Sequence, residues 1–391
     1  MNWPVKMIPP GEKVTGIRWS RWFFSFLSIL LALVLCWGGS KVITTAEASE
    51  LLKLFTLLFL FGLLAFTIIV PVRIYYYGLC LSVFEAREHE AALTRKDWTE
   101  WASQKFHVSA YKLFLPSVIS QTDIALSDFH EIYNDQQLKL RGHNNSAYTE
   151  EQLIYELLAS VRARLFRLRE SCVFDVVFTY SSTYITFSTF KECWNAIGFN
   201  DDCLGDYYHW DKTLEKEFDT LSDIAVGRAS IIISINIEGV GGYFPGSTEF
   251  ASILLVTHQE QLLEKDNNGV ALRTMACNKN LTKQEFIHMM TYQPDVLKTT
   301  KILFSNMSKE DALNVSEILS FSSLSMNAEW DYEIKHLNLM LGKLDDAHFW
   351  LVFVLVFFIS EKNNEPILMI ARVGDDYVFN VIKPFDNSKE H

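Results

Sequence analysis

Two long apolar runs without a charged side chain occupy the first quarter of the chain. Residues 22–40 and 54–72 each contain 19 such residues. A helix of that length spans about 28 Å, close to the thickness of the hydrocarbon core of a bilayer. A cleavable signal peptide has a shorter apolar core, of about 7–15 residues. The pattern predicts a hairpin of two transmembrane helices over residues 22–84, with the lipid bilayer as its partner.

Charges around the hairpin predict its orientation. Basic residues precede the first run and follow the second: Lys6, Lys13, Arg18, Arg21, Arg73, Arg87, Arg95 and Lys96. Flanks rich in Lys and Arg remain in the cytoplasm. We expect a basic cytoplasmic lead over residues 1–21, a tight hairpin loop over 41–53 and a cytoplasmic remainder. The alternative, two buried helices of a soluble protein, requires other elements to enclose nearly all faces of both runs.

A third apolar run, residues 349–359, is shorter. Its 11 residues (FWLVFVLVFFI) would form a helix of about 16 Å, which is too short to cross a bilayer. The run therefore predicts a buried core element rather than a segment that dips into the membrane.

The rest of the chain alternates between short β-branched or aromatic runs and helical periodicity, which is typical of mixed α/β proteins. We expect an amphipathic connector over residues 85–105 and one soluble α/β domain over 106–391, because no linker or clear internal repeat divides it. Predicted helices begin near Thr149, Thr282 and Ser308, the first two with a capping box. Predicted strands are 106–115, 173–180, 229–237, 366–372 and 377–382, the last two joined by the turn at 374–376.

The helix after Thr149 combines an apolar face with four arginines. The apolar positions share one face: Ile154, Leu157, Leu158, Val161, Leu165 and Leu168. The arginines are expected to project elsewhere: Arg162, Arg164, Arg167 and Arg169. A solvated helix face is favoured over a site for a phosphate or an acidic partner.

Composition separates the two parts of the chain. Of the 391 residues, 49% are hydrophobic, which is enough for a packed core. Residues 1–96 carry a net charge of +4 and the remainder −16. Because an acidic domain repels phosphate backbones, no nucleic-acid partner is expected. The cysteines outside the hairpin form no CxxC pair and indicate no disulfide framework: Cys172, Cys193, Cys203 and Cys277.

Two loops contain residue types that bind ligands, but their spacing fits no known motif. The segment 238–246 follows a strand and is rich in glycine, yet Phe244 occupies the position where G-x-G-x-x-G requires glycine. A turn is the favoured interpretation. The segment 200–211 gathers acids, a thiol and an imidazole without zinc or calcium spacing. It is predicted to be an exposed aromatic and acidic loop, suited to contacts with a partner.

No catalytic, cofactor-binding or metal-binding residue is assigned. The chain has no G-x-S-x-G elbow, and His258 and His348 border apolar runs, where a histidine is usually structural. An enzymatic alternative would use Cys193 or Cys203 as nucleophile, with one of these histidines as base.

Three stretches of the C-terminal half carry a family resemblance. Residues 245–257 (PGSTEFASILLVT) enter a strand from a Gly-rich loop, 337–360 turn into the apolar helix, and 367–383 (ILMIARVGDDYVFNVIK) form the final hairpin. In this order they resemble thiolase-like proteins, the β-ketoacyl synthase superfamily. The resemblance implies a nucleophilic cysteine at an elbow among small residues, assisted by two His or by His and Asn. The flanks of Cys193 and Cys203 depart from that pattern, which implies a non-catalytic version of the fold.

A membrane-anchored, non-catalytic protein of this kind resembles the type VI lipase adapter family of Gram-negative bacteria. The resemblance implies a two-pass protein of the bacterial inner membrane whose cytoplasmic domain binds a lipase effector and the spike protein. We therefore expect a tethered adaptor or chaperone without a cofactor. The alternatives are a membrane-associated enzyme that processes acyl or lipid compounds and a sensor or effector that disturbs the membrane.

Overall fold

The computed structural model describes residues 12–40, 46–126, 131–142, 145–210, 214–258, 269–326 and 329–384. The chain divides into two compact units, of which one is Lys6–Asp97 and the other contains Trp98–His391. Part of the predicted hairpin loop, residues 41–45, lies outside the described residues.

The first unit contains α1 (Trp19–Ser40) and most of α2 (Ala46–Ala102), whose last residues, from Trp98, belong to the second unit. Both are long and apolar enough to cross a membrane, as judged by length and composition. Within the described residues the most apolar window of each helix is 0% buried. The enclosure that two core helices of a soluble protein would require is therefore not found there. The helices contact each other through Phe66, whose ring centroid lies 5.7 Å from that of Trp22 and 5.6 Å from that of Phe26.

Helix α2 extends well beyond the predicted second span. It continues without a break past Pro71 to Ala102, so that most of the segment expected to be a connector is helical. A proline is tolerated in an apolar helix when neighbouring groups accept the freed backbone atoms.

The α/β unit contains two series of elements with similar orders of helices and strands. The first series is β1 (Lys105–Phe114), α3 (Gln121–Leu126), α4 (Glu150–Leu168), β2 (Val173–Phe178), α5 (Tyr184–Ala196), β3 (Leu204–His209), α6 (Leu214–Ser222), β4 (Arg228–Asn236) and β5 (Phe250–Thr257). The second is β6 (Gly269–Leu272), β7 (Met275–Asn278), α7 (Thr282–Tyr292), β8 (Lys301–Ser305), α8 (Lys309–Ser325), β9 (Glu333–His336), α9 (Leu337–Leu341), α10 (Phe349–Asn363), β10 (Ile367–Val373) and β11 (Asp376–Lys383).

The strand order shows a duplicated topology. The described strands form a single sheet in the order β3-β2-β4-β5-β1-β6-β11-β10-β8-β9, and β7 pairs with β11. We count β6 and β7 as one interrupted strand and number the strands of each half along the chain. Read from its outer edge, each half then has the order third, second, fourth, fifth, first: β3-β2-β4-β5-β1 in one half and β9-β8-β10-β11-β6/β7 in the other. In each half the first four strands are mutually parallel and the fifth is antiparallel to its neighbours. The two halves meet at the antiparallel pair β1–β6.

Three buried clusters place the helices in layers. Helices α4 and α5 cover one face of the first half, and α7 and α8 cover one face of the second. The opposite faces of both halves contribute to one shared cluster with α6 and α10. Helix α10 contacts β1 and β5 of the first half and β6, β8, β10 and β11 of the second. The prediction that residues 349–359 form a buried core element is confirmed.

Most local predictions are confirmed by the structure. The five predicted strands correspond to β1, β2, β4, β10 and β11 within two residues at each end. The capping box of Thr149 is present, and Ser308 accepts a hydrogen bond from the backbone N–H of Asp311 at 3.1 Å. The capping box at Thr282 is wrong. Its hydroxyl donates back to the carbonyls of Asn278 and Lys279, because Thr282 already lies inside the first helical turn.

Candidate functional site

A cavity of about 440 Å³ lies at the carboxyl ends of the parallel strands of the first half. The segment after β2 contributes Ser181, the end of β3 contributes His209, and β4 contributes Ser234. The second half contributes the start of α10 and the β10–β11 turn. Loops and helix starts converge at this edge because parallel strands all end there, which is where α/β proteins usually bind their ligands.

The inner wall of the cavity is aromatic. Trp210 and Trp350 face each other with ring centroids 5.6 Å apart, and Phe244 and Phe349 line the same space. Beneath them Phe218 of α6 stacks on Trp350 at 5.8 Å. An apolar wall of this kind can contact hydrocarbon chains or rings, but it does not fix their orientation.

Polar groups lie among these rings. The half-buried carboxylate of Asp346 accepts a hydrogen bond from Asn306 Nδ2 at 3.1 Å, and the same amide group donates to the carbonyl of Arg372. The Nδ1 atom of His209 lies 3.5 Å from the hydroxyl of Ser182. Asp346 is the one charged side chain in the described lining, so the cavity favours a ligand head that donates hydrogen bonds or carries positive charge.

Buried hydrogen bonds position the start of α10 below the cavity. The Nε2 atom of His348 lies 2.6 Å from the carbonyl oxygen of Thr248, so Nε2 donates and carries the proton. The Thr248 hydroxyl donates to the carbonyl of Leu341 at 2.7 Å. Asn236 donates to the same Thr248 carbonyl and accepts from the backbone N–H of Phe244. His348 is 0% exposed and acts as a structural link between the start of α10 and Thr248.

The Gly-rich segment 238–246 forms part of the cavity rim. It connects two antiparallel strands, β4 and β5, and no helix follows it, so the interpretation as a turn is confirmed. A Cβ atom on Gly241 would lie 2.6 Å from the carbonyl oxygen of Ser181. Gly242 has a φ of +81°. Glycine is required here because the loop must pass close to the backbone that follows β2.

The structure does not bring together the cysteine and histidine residues of the enzymatic alternative. Cys203 precedes β3, and His258 follows β5, which is antiparallel to β4. Both therefore lie at the amino edge of the parallel strands, opposite the cavity, and two strands, β2 and β4, separate β3 from β5 in the sheet. Cys193 is buried in the outer cluster with α4, where its thiol lies 3.6 Å from the carbonyl oxygen of Glu151. The described lining of the cavity contains no cysteine.

Burial makes the core thiols weak acids. Burial, with the carboxylates of Glu151 and Glu192 nearby, raises the pKa of Cys193 to about 11. Burial raises the pKa of Cys277 to about 12 and also raises that of Cys172. Because the thiolate is the nucleophile, these environments are the opposite of those that activate a catalytic cysteine.

Two other sequence predictions are corrected. Arg164 does not project into solvent but is only 7% exposed, because helical periodicity places it beside Val161 and Leu168 on the apolar face. The segment 200–211 is not a loop throughout: a short 3₁₀ turn leads into β3, which pairs with β2 along one edge. Residues 200–210 of this segment are exposed or half-buried, as predicted. Within the described residues no group of three or more His, Cys, Asp or Glu side chains is placed to hold a metal ion.

The cavity itself was not predicted from the sequence. Its residues lie far apart along the chain, from Thr179 to Gly374. Two signals were available: His209 and Trp210 lie in the segment already noted for its aromatic and acidic character, and Asp346 lies just before the apolar run. Neither signal indicates that these segments meet.

Several solved structures of condensing enzymes resemble the fold. The oxazolomycin ketosynthase domain of Streptomyces albus is 9% identical, with a TM-score of 0.49, and covers 74% of this chain and 99% of its own. The 3-oxoacyl-[acyl-carrier-protein] synthase III of Aquifex aeolicus is 10% identical, with a TM-score of 0.42, and the match covers 71% of this chain and 99% of the synthase. Cerulenin-bound OleA of Xanthomonas campestris is 7% identical, with a TM-score of 0.47, and the match covers 73% of this chain and 98% of OleA.

No family model and no curated protein sequence matches the chain. The type VI lipase adapter resemblance therefore has no support from either comparison. The mixed α/β class is confirmed by the structure, and ketosynthases are the class of protein that the sequence resemblance named. Because the similarities lie below a TM-score of 0.5, the functional argument rests on the residues of this chain.

We expect the buried thiols to react slowly and with a steep pH dependence. At pH 7 a thiol of pKa about 11 is ionised to roughly one part in ten thousand, so alkylation of Cys193 by iodoacetamide should be much slower than that of glutathione. Its rate should rise about tenfold per pH unit between pH 7 and 9, whereas the rate of a free thiol such as glutathione, with a pKa of about 8.5, should rise only about threefold between pH 8 and 9. Mass spectrometry of the tryptic peptide that contains Cys193, and of glutathione itself, gives the two rates. Faster reaction of Cys193 than of glutathione at pH 7 would contradict the assignment and favour an enzyme.

Proposed function

We propose that this chain is a membrane-anchored protein of thiolase-like fold whose α/β unit binds an acyl compound in the cavity at the carboxyl ends of β2, β3 and β4. The observation that carries the proposal is the composition of the cavity, which combines the facing rings of Trp210 and Trp350 with the single carboxylate of Asp346. An acyl compound is the ligand class that the resemblance of the C-terminal half implies.

The lining also restricts the head group of that ligand. Aromatic side chains contact a hydrocarbon chain without orienting it, so the polar residues select the head. The carboxylate of Asp346 repels a free fatty acid and accepts a hydrogen bond from an amide N–H or an amine. We therefore favour a ligand whose hydrocarbon chain ends in an amide or an amine over one that ends in a carboxylate. The proposed activity is binding, since neither Cys193 nor Cys203 lies at the cavity.

The charge at position 346 should decide between neutral and anionic ligands. In the full-length protein in lipid nanodiscs, octanamide should quench tryptophan fluorescence at lower concentration than octanoate. The isosteric change Asp346→Asn should strengthen octanoate binding about five- to tenfold, because it removes roughly 1 kcal/mol of charge repulsion, and should leave octanamide binding nearly unchanged.

Two variants complete this experiment. Asp202→Asn removes a charge from an exposed turn and should change neither affinity. The double change Trp210→Phe/Trp350→Phe should abolish most of the fluorescence response, which would assign the signal to the cavity. If Asp346→Asn and Asp202→Asn gave equal affinities for octanoate, the proposed site would be rejected.

The anchorage is part of the proposal. The two apolar helices α1 and α2 would cross the bacterial inner membrane, with the N-terminus and the α/β unit in the cytoplasm. The supporting observations are the exposure of the apolar side chains and the basic residues on both flanks of the hairpin.

Labelling of single cysteines in spheroplasts, in variants whose other cysteines are replaced by serine, tests this orientation. A membrane-impermeant maleimide should label Thr44→Cys, between the two spans, in intact spheroplasts. It should label the half-exposed native Cys203 only after the membrane is permeabilised. Labelling of Cys203 in intact spheroplasts would reject the cytoplasmic placement of the α/β unit.

A second candidate function is that of an adaptor for a type VI secretion system, with a lipase effector and the spike protein as partners. The observation that favours it is the edge strand β3. It is paired only with β2 among the described strands, and Tyr208 is 43% exposed there. At the nearby start of α5, Ile185 is 75% exposed. An open edge flanked by exposed apolar side chains suits the addition of a strand from a protein partner.

Pull-down from native cells tests the adaptor function. Tagged full-length protein should retain the effector or spike protein, and the double change Ile185→Glu/Tyr208→Glu should reduce the retained amount at least tenfold, because it places charges in the interface. Leu313→Glu is the matched control, since Leu313 is 74% exposed on α8. Equal retention by the two variants, or recovery of acyl carriers alone, would count against the adaptor.

A further inference from the structure

A groove in the unit Lys6–Asp97 lies beside the part of α2 that follows the apolar run 54–72. Its volume is about 710 Å³. One wall is the segment 12–15, and the other is a face of α2. The main α2 residues of this wall recur three or four positions apart and so share one side of the helix: Arg73, Tyr76, Tyr77, Cys80, Phe84 and Arg87.

The groove is positively charged. Lys13, Arg73 and Arg87 line it together with a single acid, Glu12. Among the described residues no carboxylate forms an ion pair with Lys13, Arg73 or Arg87. The guanidinium carbon of Arg73 lies 5.8 Å from the ring centroid of Tyr76, a cation–π contact that holds the charge at the level of the tyrosine rings. The cations are therefore available to an anion from outside the protein.

The position of Arg73 indicates the kind of anion. It is the first charged residue after the apolar run 54–72, and the three tyrosines that follow it are typical of the interface between hydrocarbon and headgroups. Phospholipid phosphates lie at this depth, and Arg matches the geometry of phosphate oxygens. Below Arg73 the helix exposes apolar side chains, such as Ile69 at 53%, which acyl chains would contact.

We propose that this groove binds the headgroup of an anionic phospholipid, with Arg73 and Lys13 on its phosphate and Tyr76 and Tyr77 beside its glycerol and upper acyl chain. The inference rests on the proposed membrane anchorage and is independent of the ligand of the cavity. It makes the cytoplasmic end of the hairpin selective for lipid charge.

The other end of α2 differs in a way that provides a control. Lys53 lies at the predicted opposite interface, and its Nζ atom is 3.1 Å from a carboxylate oxygen of Glu50. That pair neutralises the local charge. A cation near the membrane surface contributes about fivefold to the affinity for anionic lipid. Removal of Arg73 should therefore weaken lipid binding, whereas removal of Lys53 should not.

Native mass spectrometry of the full-length protein tests the proposal. The protein is released from non-ionic detergent micelles that contain equimolar phosphatidylglycerol and phosphatidylcholine. We expect preferential retention of phosphatidylglycerol, about a fivefold loss in Arg73→Gln, a larger loss in Arg73→Gln/Lys13→Gln, and no change in Lys53→Gln. Inorganic phosphate should not displace the lipid, because it lacks the acyl chains.

The outcomes separate this site from the anchorage. A detergent-dependent protein that retains both lipids equally, or that loses phosphatidylglycerol equally in Arg73→Gln and Lys53→Gln, would overturn the site and leave the anchorage intact. Displacement by inorganic phosphate would overturn the lipid as ligand in favour of a free anion. A protein that remains monodisperse without detergent would overturn the anchorage, and the lipid site with it.

Discussion

The α/β unit depends on the burial of one helix that is apolar on every side. Eleven consecutive residues of α10, from Phe349 to Ile359, carry no charge, and all but the half-buried Phe358 are buried. Such a helix is stable only where other elements cover its whole circumference. The duplicated topology supplies that cover, because each half of the sheet turns one face towards the shared layer that contains α10. Outer helices of the usual amphipathic kind then cover the remaining face of each half.

The cavity follows from the same arrangement. Because α10 lies between the two halves, its first turn emerges where the strands of the first half end. There the side chains of Asp346 and Trp350 meet residues that the first half supplies, including Trp210. The buried contacts of His348 and Thr248 hold that turn in place. A histidine and a glycine-rich loop that look like catalytic or phosphate-binding elements in isolation therefore serve to shape the cavity. The buried thiols of Cys193 and Cys277 lie elsewhere, in environments that raise their pKa.

The apolar segments of the chain lie in two different environments, because they differ in length and in the elements that surround them. The runs within α1 and α2 are long enough to cross a bilayer, and their side chains remain exposed in the described structure. The run in α10 is too short to cross and is covered by protein instead. Charges mark the same division. Basic side chains cluster on the part of α2 that follows the apolar run 54–72, whereas the part of the chain after residue 96 is acidic. The proposed lipid site and the proposed acyl cavity thus use different chemistry, phosphate recognition in one case and an aromatic wall in the other.

The sequence by itself determined the local elements: the two apolar helices, the five strands with clear β-branched or aromatic runs, the capped helix starts at Thr149 and Ser308, and the buried helix α10. These depend on periodicity and on interactions a few residues apart, which a single sequence displays directly. Tertiary structure alone decided that β3 is a strand, since its exposed residues show no alternation and only pairing with β2 orders them. It also decided the duplicated topology and the cavity. Each depends on contacts between residues distant in the chain, for which local patterns carry no signal.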